Sequence, residues 1–247
     1  MRLKIIMNSD KSIPLPKYYQ HILQAVIYEL IGDPTVKEFL HNQGFLWEKR
    51  SFKPLSFSWL QGRYEVNRTQ IVFYSPVALY LSSPWERLIR LLLENLFKRD
   101  GIQLGKTQVS ISDVEMLPDP VFEKQTFIRT LSPITMYSTL TAPDGRKVTH
   151  YYDARDPQFS ELLRRNLVKK ALAFHNLNLS DAPFSIWPVG GEKDGLRQHT
   201  IRYKSLIIKG WMGVFGMEGD ARLQKIAYDM GLGGKNGIGM GFITVND

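Results

Sequence analysis

The sequence predicts an α+β protein of two tandem ferredoxin-like (RRM-like, β-α-β-β-α-β) domains. A single order of strand and helix patterns runs twice along the chain, and a proline-rich segment separates the two runs. The 247 residues are 43% hydrophobic, which suffices for two cores. We therefore predict domains over residues 1–120 and 125–247, divided near Pro118-Asp119-Pro120, which cannot continue a central strand. The halves share no visible sequence identity, so a single mixed α/β domain is the alternative.

The first predicted domain begins with an alternating strand and an amphipathic helix. Apolar residues alternate over 2–7, and an apolar stripe at helical spacing runs through 16–31. The remaining predicted elements are a short helix over 35–41, strands over 54–60 and 69–74, a helix over 84–98 that follows the cap Ser82-Ser83-Pro84, and a strand over 107–116.

The second predicted domain repeats this order. Its predicted elements are a strand over 127–137, a helix over 158–176, strands over 184–189 and 200–214, a helix over 221–230, and a strand over 241–245. Between the first strand and the helix, residues 142–145 read Ala-Pro-Asp-Gly, which predicts a hairpin turn.

A glycine-rich loop precedes the last strand, with six glycines between Gly231 and Gly241. Glycine allows positive φ and close approach to another molecule, and successive N–H groups can surround an anion. Lys235 and Asn236 add a charge and an amide at the tip of the loop. The order helix-loop-strand excludes a P-loop and a dinucleotide fingerprint, which both open a helix. We expect an extended phosphate backbone as the ligand, and a tight turn before the strand is the alternative.

The composition supports a polyanionic partner. Lys and Arg total 32 against 24 Asp and Glu, so the net charge is +8 and the pI is about 9.5. Cysteine is absent, which excludes disulfides and Cys-containing zinc sites. No signal-peptide profile and no apolar run of about 18 residues is present. We predict a cytoplasmic protein without membrane contact.

The chain resembles the repeat-associated mysterious protein (RAMP) superfamily, and within it the CRISPR-associated endoribonuclease that cuts repeat RNA into guide units. The matching segments are Leu-Gln-Ala-Val-Ile-Tyr ending at Tyr28, Glu-Phe-Leu-His ending at His41, Lys-Pro-Leu-Ser-Phe-Ser from Lys53, Leu-Ser-Pro-Ile from Leu131, Gly-Trp-Met-Gly-Val-Phe from Gly210, and the glycine loop. The resemblance implies cleavage of pre-crRNA without metal or cofactor, leaving 5′-hydroxyl and 2′,3′-cyclic phosphate ends. It implies repeat RNA as the partner, and leaves open other CRISPR effector subunits and a homodimer.

Three residues are the candidates for catalysis. Such a reaction needs a base for the ribose 2′-hydroxyl, an acid for the leaving 5′-oxygen, and a cation for the phosphorane-like transition state. The resemblance assigns the acid to His41, the 2′-hydroxyl contact to Tyr28 and the cation to Lys53. Tyr28 forms a polar row with Lys17, His21 and Gln24 at spacings of four, three and four residues, and His21 is the second candidate for the acid. Because a free tyrosine has a pKa near 10, orientation of the 2′-hydroxyl is easier to defend than proton abstraction.

The predicted RNA-binding residues lie outside this triad. Lys49 and Arg50 are expected to contact backbone phosphates, and Arg197 opens a stretch in which basic and aromatic residues alternate. Four aromatic residues could stack on unpaired bases or pack in the core, namely Trp187, Tyr203, Trp211 and Phe215. The loop contributes Gly233, Gly234, Lys235, Asn236 and Gly237. The alternative function is a non-catalytic crRNA-binding subunit of an effector complex.

Overall fold

The chain folds as two consecutive β-α-β-β-α-β arrangements, which confirms the predicted fold class. A computed structural model describes residues 1–190 and 195–246, and the chain divides into two compact units. The first unit comprises Met1–Asp119 together with Gly237–Gly239. The second comprises Pro120–Asn236 and the residues from Met240 onward. Three residues of the glycine loop thus belong to the first unit.

An antiparallel sheet of seven strands forms the first unit. The elements of this unit are strands β1 (Arg2–Asn8), β2 (Ile13–Pro16), β3 (Phe45–Trp47), β4 (Arg50–Phe52), β5 (Ser56–Phe57), β6 (Gln61–Val66), β7 (Gln70–Ser82), β8 (Gly101–Leu104) and β9 (Thr107–Leu117), and helices α1 (Gln20–Ile31), α2 (Pro34–Glu38) and α3 (Glu86–Leu96). Strand β1 lies between β7 and β9, β8 pairs with β9, and β2, β5 and β6 pair with β7. Strands β3 and β4 form a separate hairpin.

The core of the first unit sets the orientation of α1. Alternate residues of β1 are buried, and they join a cluster to which α1 and α3 contribute their apolar faces. Each such aliphatic side chain contributes about 1.5 to 3 kcal/mol on burial. With Leu23 and Ile27 buried, the polar row of α1 lies off the apolar stripe: His21 is exposed, and Gln24 and Tyr28 are half-buried.

The predicted start of the first helix is wrong. Residues 13–16 form β2, which pairs with β7, and α1 begins only at Gln20. Prolines at 14 and 16 disfavour a helix there, because proline lacks an N–H and restricts the residue before it. Lys17 consequently lies outside the helix, and the polar row is shorter than expected.

The strands after the hairpin also differ from their predicted bounds. The strand expected over 54–60 is reduced to β5, and β6 was not predicted. Strand β7 continues through Pro76, where a purely local interpretation would end it. The register of β6 shifts between Gln61 and Arg63, and a Cβ at Gly62 would lie 2.9 Å from the carbonyl oxygen of Pro76. The extra residues lie in β7, where residues 75–77 oppose the single residue Gly62 of β6, so Pro76 lies in a bulge of its own strand.

The second unit contains a four-stranded antiparallel sheet and two inserted hairpins. Its elements are strands β10 (Gln125–Thr130), β11 (Tyr137–Thr141), β12 (Lys147–Tyr151), β13 (Phe184–Pro188), β14 (Arg197–Tyr203), β15 (Leu206–Met212), β16 (Val214–Gly219) and β17 (Ile243–Val245), and helices α4 (Pro157–His175) and α5 (Ala221–Met230). The sheet order is β13-β16-β10-β17, and the hairpins are β11-β12 and β14-β15. The predicted hairpin turn over 142–145 is confirmed.

Cap residues explain why both helices of this unit match their predictions closely. The side chain of Asp156, which directly precedes Pro157, accepts a hydrogen bond from the backbone N–H of Gln158 at 2.8 Å. The side chain of Asp220 accepts one from the backbone N–H of Arg222 at 2.8 Å. Two predicted strands were too long. The strand expected over 127–137 ends at Thr130, and the stretch 200–214 is the β14-β15 hairpin plus the start of β16.

Within the described parts of the chain, no helix is both long enough and apolar enough to cross a membrane.

Candidate active site

His41 lies in a π-helical turn at the end of a short helix. Asp33 caps that helix, α2, by accepting two backbone N–H groups at 2.9 and 3.2 Å. The helix then widens into the π-turn Phe39–Gln43, which closes when the N–H of Gly44 donates to the carbonyl of Phe39 at 2.7 Å. Turns of this width are rare, and they occur frequently at functional sites.

The imidazole of His41 is exposed and oriented by its neighbour. Its Nδ1 lies 2.7 Å from Oδ1 of Asn42. Because an amide oxygen only accepts hydrogen bonds, Nδ1 must carry a proton in this pair. Proton exchange with a substrate therefore falls to Nε2, which is a base in the neutral ring and an acid in the imidazolium.

Lys53 contacts the backbone of the same turn. Its ammonium donates hydrogen bonds to the carbonyls of Leu40 and His41. These carbonyls belong to the last turn of a helix, where groups without intrahelical partners are satisfied by nearby cations. Lys53 is half-buried, and burial lowers the pKa of its ammonium. The structure thus brings two of the three candidates together, and an ammonium has a third N–H to donate.

Tyr28 lies one helical turn after Gln24 on α1, and Gln24 contacts the glycine loop. Gln24, one helical turn earlier, donates from Nε2 to the carbonyl of Gly237 at 2.7 Å. A Cβ at Gly237 would lie 3.4 Å from the Cβ of Lys53. Gly237 therefore touches both the polar row of α1 and Lys53, within the first unit. Tyr28 itself is half-buried against the core of that unit.

Lys49 and Arg50 lie at the tip of the β3-β4 hairpin, which directly follows the π-turn. Both side chains are exposed. Phe45 of the hairpin packs edge-to-face against Phe39 and Trp85, at centroid distances of 5.2 and 6.0 Å. This contact attaches the hairpin to the turn that carries His41.

A buried lysine that the sequence analysis did not single out holds the first part of the glycine loop. Lys170 of α4 is 2% exposed, and its Nζ donates to the carbonyls of Gly231 at 2.6 Å and Gly233 at 3.1 Å, and to Oδ1 of Asn236 at 2.9 Å. Burial lowers the pKa of Lys170 to about 7, and the three oxygen acceptors act in the opposite direction.

Asn236 is not displayed at the loop tip, and that expectation is wrong. The residue is 8% exposed, and its Nδ2 donates to the carbonyls of Leu232 at 3.1 Å and Met240 at 3.0 Å. Both amide N–H groups and one oxygen lone pair are thus used inside the second unit. Asn236 braces the loop, and we withdraw it from the RNA contacts.

Internal packing accounts for much of the glycine density. A Cβ at Gly233 would lie 2.3 Å from the carbonyl oxygen of Thr135, and one at Gly241 would lie 1.9 Å from that of Leu232. Both glycines have positive φ, at 70° and 72°. The N–H groups of Gly234 and Gly241 donate to protein carbonyls at 3.0 and 2.8 Å. Some of the backbone N–H groups that the sequence suggested were free to bind an anion therefore donate to carbonyls of the protein itself.

Among the remaining RNA-contact candidates of the second unit, Arg197, Gly234 and Lys235 are accessible, whereas Gly233 is buried. Lys235 is half-buried with its Nζ 5.1 Å from the ring centroid of Tyr137, and Arg197 is exposed at the start of β14. A Cβ at Gly234 would lie 3.2 Å from the same tyrosine ring.

Most of the proposed stacking residues pack in the core instead. Tyr203, Trp211 and Phe215 are at most 9% exposed. Trp187 is half-buried and lies over Gly216, where a Cβ would approach its indole within 2.5 Å. Aromatic side chains are frequent in strands because they pack well there. Packing therefore accounts for these aromatic residues without a contact to RNA bases.

The other candidate for the acid differs from His41 in its setting. His21 is exposed, and its Nδ1 donates to the carbonyl of Tyr18 at 3.0 Å. In the described ranges, no three His, Asp or Glu side chains are grouped so that they could hold a metal ion.

Asn42 and Lys170 are the residues that the sequence analysis missed. Lys170 falls on the buried stripe of α4, three residues after Leu167 and seven after Leu163, so its spacing carried a signal. A lysine on an apolar stripe requires oxygen partners, which a carbonyl-rich loop provides. Asn42 carried no such signal, because its role depends on the π-turn.

Comparisons with known proteins agree with this fold. A family model described as CRISPR associated protein Cas6, C-terminal, matches residues 117–245, more than half of the chain. The CRISPR-associated endoribonuclease Cas6 1 of Methanocaldococcus jannaschii is 27% identical over 250 residues, which cover 99% of this chain and 92% of that protein. The Cas6 2 endoribonuclease of the same organism is 27% identical over 258 residues, covering 99% of each.

A solved structure of a CRISPR associated protein Cas6 is similar over the whole length. It is 26% identical, has a TM-score of 0.80, and covers 100% of this chain and 99% of its own. The family model, the relatives and the shared fold agree: the chain belongs to the Cas6 family of CRISPR-associated proteins.

Proposed function

We propose that this chain is an endoribonuclease that cleaves CRISPR repeat RNA (pre-crRNA) into guide crRNAs. The observation that carries the proposal is the exposed imidazole of His41, whose Nδ1 is occupied by Asn42 and whose backbone is held by Lys53. The similar proteins that are named CRISPR-associated endoribonucleases support the same activity.

The proposed chemistry uses the RNA as its own nucleophile. The ribose 2′-oxygen forms a bond to the adjacent phosphorus while the bond from phosphorus to the 5′-oxygen breaks. The 2′-hydroxyl loses its proton to a water molecule, and the Nε2–H of the His41 imidazolium donates a proton to the departing 5′-oxygen. The products are a 2′,3′-cyclic phosphate and a 5′-hydroxyl, and no step calls on a metal ion.

Tyr28 and Lys53 have supporting roles in this proposal. Tyr28 hydrogen-bonds to the 2′-hydroxyl and aligns it for attack, since its free pKa near 10 makes it a weak base. Lys53 uses two N–H groups to hold the π-turn, and its third N–H is directed to the phosphate charge that develops in the transition state. Lys53 therefore combines positioning with electrostatic stabilisation.

The proposed RNA contacts are distributed over both units. Lys49 and Arg50 bind phosphates near the π-turn, and Lys235 and Arg197 bind phosphates from the second unit. The half-buried glycines at 234 and 237 allow the RNA backbone to approach the loop, whereas Gly233 is buried and supports the loop from inside. Further partners in the proposal are other CRISPR effector subunits and a second copy of the chain, for which light scattering with and without RNA is the test.

The decisive experiment measures cleavage and binding of the host repeat RNA in EDTA. We expect the wild type to cut, and His41→Ala to bind normally but cut about 10²- to 10⁴-fold more slowly. His21→Ala tests the other candidate for the acid, and it should cut at the wild-type rate if His41 is the acid. Cleavage by His41→Ala at the wild-type rate would reject His41 as the acid. Binding without cleavage by the wild type would make the chain a crRNA-binding subunit.

A further inference from the structure

The β3-β4 hairpin is anchored to the turn that carries His41. Phe45 packs against Phe39 and Trp85 in an edge-to-face cluster, with centroids 5.2 to 6.0 Å apart. The hydroxyl of Ser51 donates to the carbonyl of Gln43, at the end of the π-turn. The hairpin therefore has a defined position next to the candidate acid and is not an independent loop.

One face of the hairpin carries an aromatic ring beside a cation. The register pairs Phe45 with Phe52, and Trp47 with Arg50. Directly opposed residues of an antiparallel pair share a face, with Cβ atoms about 4.5 to 5.5 Å apart. Trp47 and Arg50 thus lie side by side, on the face that begins with Phe45. Leu46, which is 67% exposed, lies on the other face.

Three side chains at this tip are candidates to contact a ligand, namely Trp47, Lys49 and Arg50. Trp47 is half-buried, and Lys49 and Arg50 are exposed. In the residues that the structure describes, none of the three forms a side-chain hydrogen bond, an ion pair or a ring contact. Elsewhere in this unit arginines pair with carboxylates, as Arg87 does with Asp33 at 2.8 Å. An indole and two unpaired cations fit an unpaired nucleotide with its flanking phosphates.

The turn between the strands has an unusual backbone. Glu48 has a φ of 53°, which costs a non-glycine residue about 1 kcal/mol or more. This conformation closes a two-residue turn and places Lys49 at its end. The position of the cations relative to Trp47 is thereby built into the backbone.

We propose that the hairpin binds one unpaired nucleotide of the RNA next to the scissile phosphate, with its base stacked on Trp47 and its phosphates bound by Arg50 and Lys49. This inference rests on the proposed function, because it requires that repeat RNA be the substrate. An RNA is favoured over a protein partner because the tip carries a net positive charge, two cations against the carboxylate of Glu48, and because the exposed Leu46 lies on the opposite face. Stacking makes Trp47 a contact for a base in addition to the phosphate contacts expected from the two cations.

The test combines variants of Trp47 with abasic RNAs. Repeat RNAs carry a 2′-deoxyribose at the cleavage position, so that binding is measured without cleavage, and each lacks one base near that position. On intact RNA we expect Trp47→Ala to weaken binding about 5- to 100-fold, and Trp47→Phe to weaken it far less. On one abasic RNA the loss from Trp47→Ala should disappear, because the partner base is already absent.

Two controls separate stacking from general damage. Phe97→Ala removes an aromatic side chain that is 75% exposed at the end of α3, and should leave binding unchanged. Trp47→Phe preserves a ring and therefore reports on stacking even if Trp47→Ala unfolds the hairpin.

Each outcome decides the inference. An equal loss for Trp47→Ala on every abasic RNA, or no loss on intact RNA, would overturn it while the wild type still cuts repeat RNA. If the hairpin contacts another protein and not RNA, Trp47→Ala should cause no loss of binding on intact RNA. If the wild type neither binds nor cuts repeat RNA, the proposed function fails and the nucleotide site fails with it.

Discussion

Nδ1 of His41 lies 2.7 Å from Oδ1 of Asn42, its neighbour in the chain. In a regular helix adjacent side chains diverge by about 100°, but these two residues belong to the π-turn Phe39–Gln43. The contact fixes which ring nitrogen is available, and it makes the chemistry of His41 depend on the side chain at position 42. We infer that Asn42 is a positioning residue for proton transfer.

Replacement of Asn42 by Asp should change the pH dependence of cleavage. A carboxylate beside the imidazole stabilises the imidazolium, so the acid stays protonated to higher pH. We expect the alkaline limb of the pH–rate profile to move upward by a few tenths of a pH unit, the size expected for an exposed pair. Asn42→Ala should lower the rate roughly 2- to 10-fold, because one hydrogen bond is lost.

Asn67→Asp is the matched control for this prediction, because it adds the same charge at an exposed turn of the same unit. A pH–rate profile that stays in place for Asn42→Asp would show that residue 42 does not act through His41.

Lys53 and Lys49 should behave differently when each is changed to Met. Lys53 donates to the carbonyls of Leu40 and His41, so Lys53→Met should lower the stability of the unit by about 1 to 3 kcal/mol and slow cleavage about 10²-fold or more. Lys49 is exposed, so Lys49→Met should leave stability within about 0.5 kcal/mol. Urea midpoints and single-turnover rates provide the comparison.

Salt dependence completes the comparison of the two lysines. A lost phosphate contact should reduce the slope of log K against log salt by about 0.7 for single-stranded RNA, and we expect this for Lys49→Met. If Lys53→Met cleaves more slowly but is as stable as the wild type, Lys53 does not hold the π-turn in place. Its role would then be limited to stabilising the phosphate charge in the transition state.

The sequence predicted elements best where local chemistry determines them. Helix α5 begins at Ala221 and ends at Met230 as expected, because Asp220 caps its start and glycine follows its end. Strand β7 was underestimated, because Pro76 looks like a local breaker but lies in a bulge of β7, where residues 75–77 oppose the single residue Gly62 of β6. The pairing with β6 that continues the strand on both sides of this bulge is long-range and has no signature at the proline itself.

The site shows the same division between local and long-range information. The segment that ends at His41 could be found from the sequence, but the π-turn and the hydrogen bond to Asn42 could not. The glycine loop was found, but most of its glycines were interpreted as open backbone. Their crowding against Thr135 and Leu232 depends on residues distant in sequence or on the folded shape of the loop.

Two glycine substitutions should separate crowding from backbone strain. Gly241 and Gly145 both have positive φ, at 72° and 81°. A Cβ at Gly241 would lie 1.9 Å from the carbonyl oxygen of Leu232, whereas one at Gly145 would meet nothing within 4 Å. We expect Gly145→Ala to cost about 1 to 2 kcal/mol, the cost of strain alone, and Gly241→Ala to cost clearly more. Equal urea midpoints for the two variants would contradict the packing role of Gly241.

The buried ammonium of Lys170 should be necessary for the glycine loop. Lys170→Met leaves three buried oxygens, on Gly231, Gly233 and Asn236, without this donor. We expect a loss of about 2 to 5 kcal/mol in stability and weaker RNA binding. Lys169→Met is the control, because it changes the adjacent lysine of the same helix, which is only half-buried. Similar losses for both variants would place the effect in the helix and not in the loop.

Lys170 should also make stability depend on pH. Burial lowers its pKa from 10.5 in the unfolded chain to about 7 in the folded protein. Between these values the unfolded state binds more protons, so the contribution of this residue to stability rises from pH 7 to pH 10.5, by at most about 1.4 kcal/mol per pH unit. Below pH 7 both states carry the proton, and the contribution is constant. Urea midpoints at several pH values should therefore rise more steeply for the wild type and Lys169→Met than for Lys170→Met. Parallel curves for all three proteins would mean that the three oxygen acceptors hold the proton on Lys170 throughout this range, because an ammonium that is fully hydrogen-bonded has no reason to titrate there.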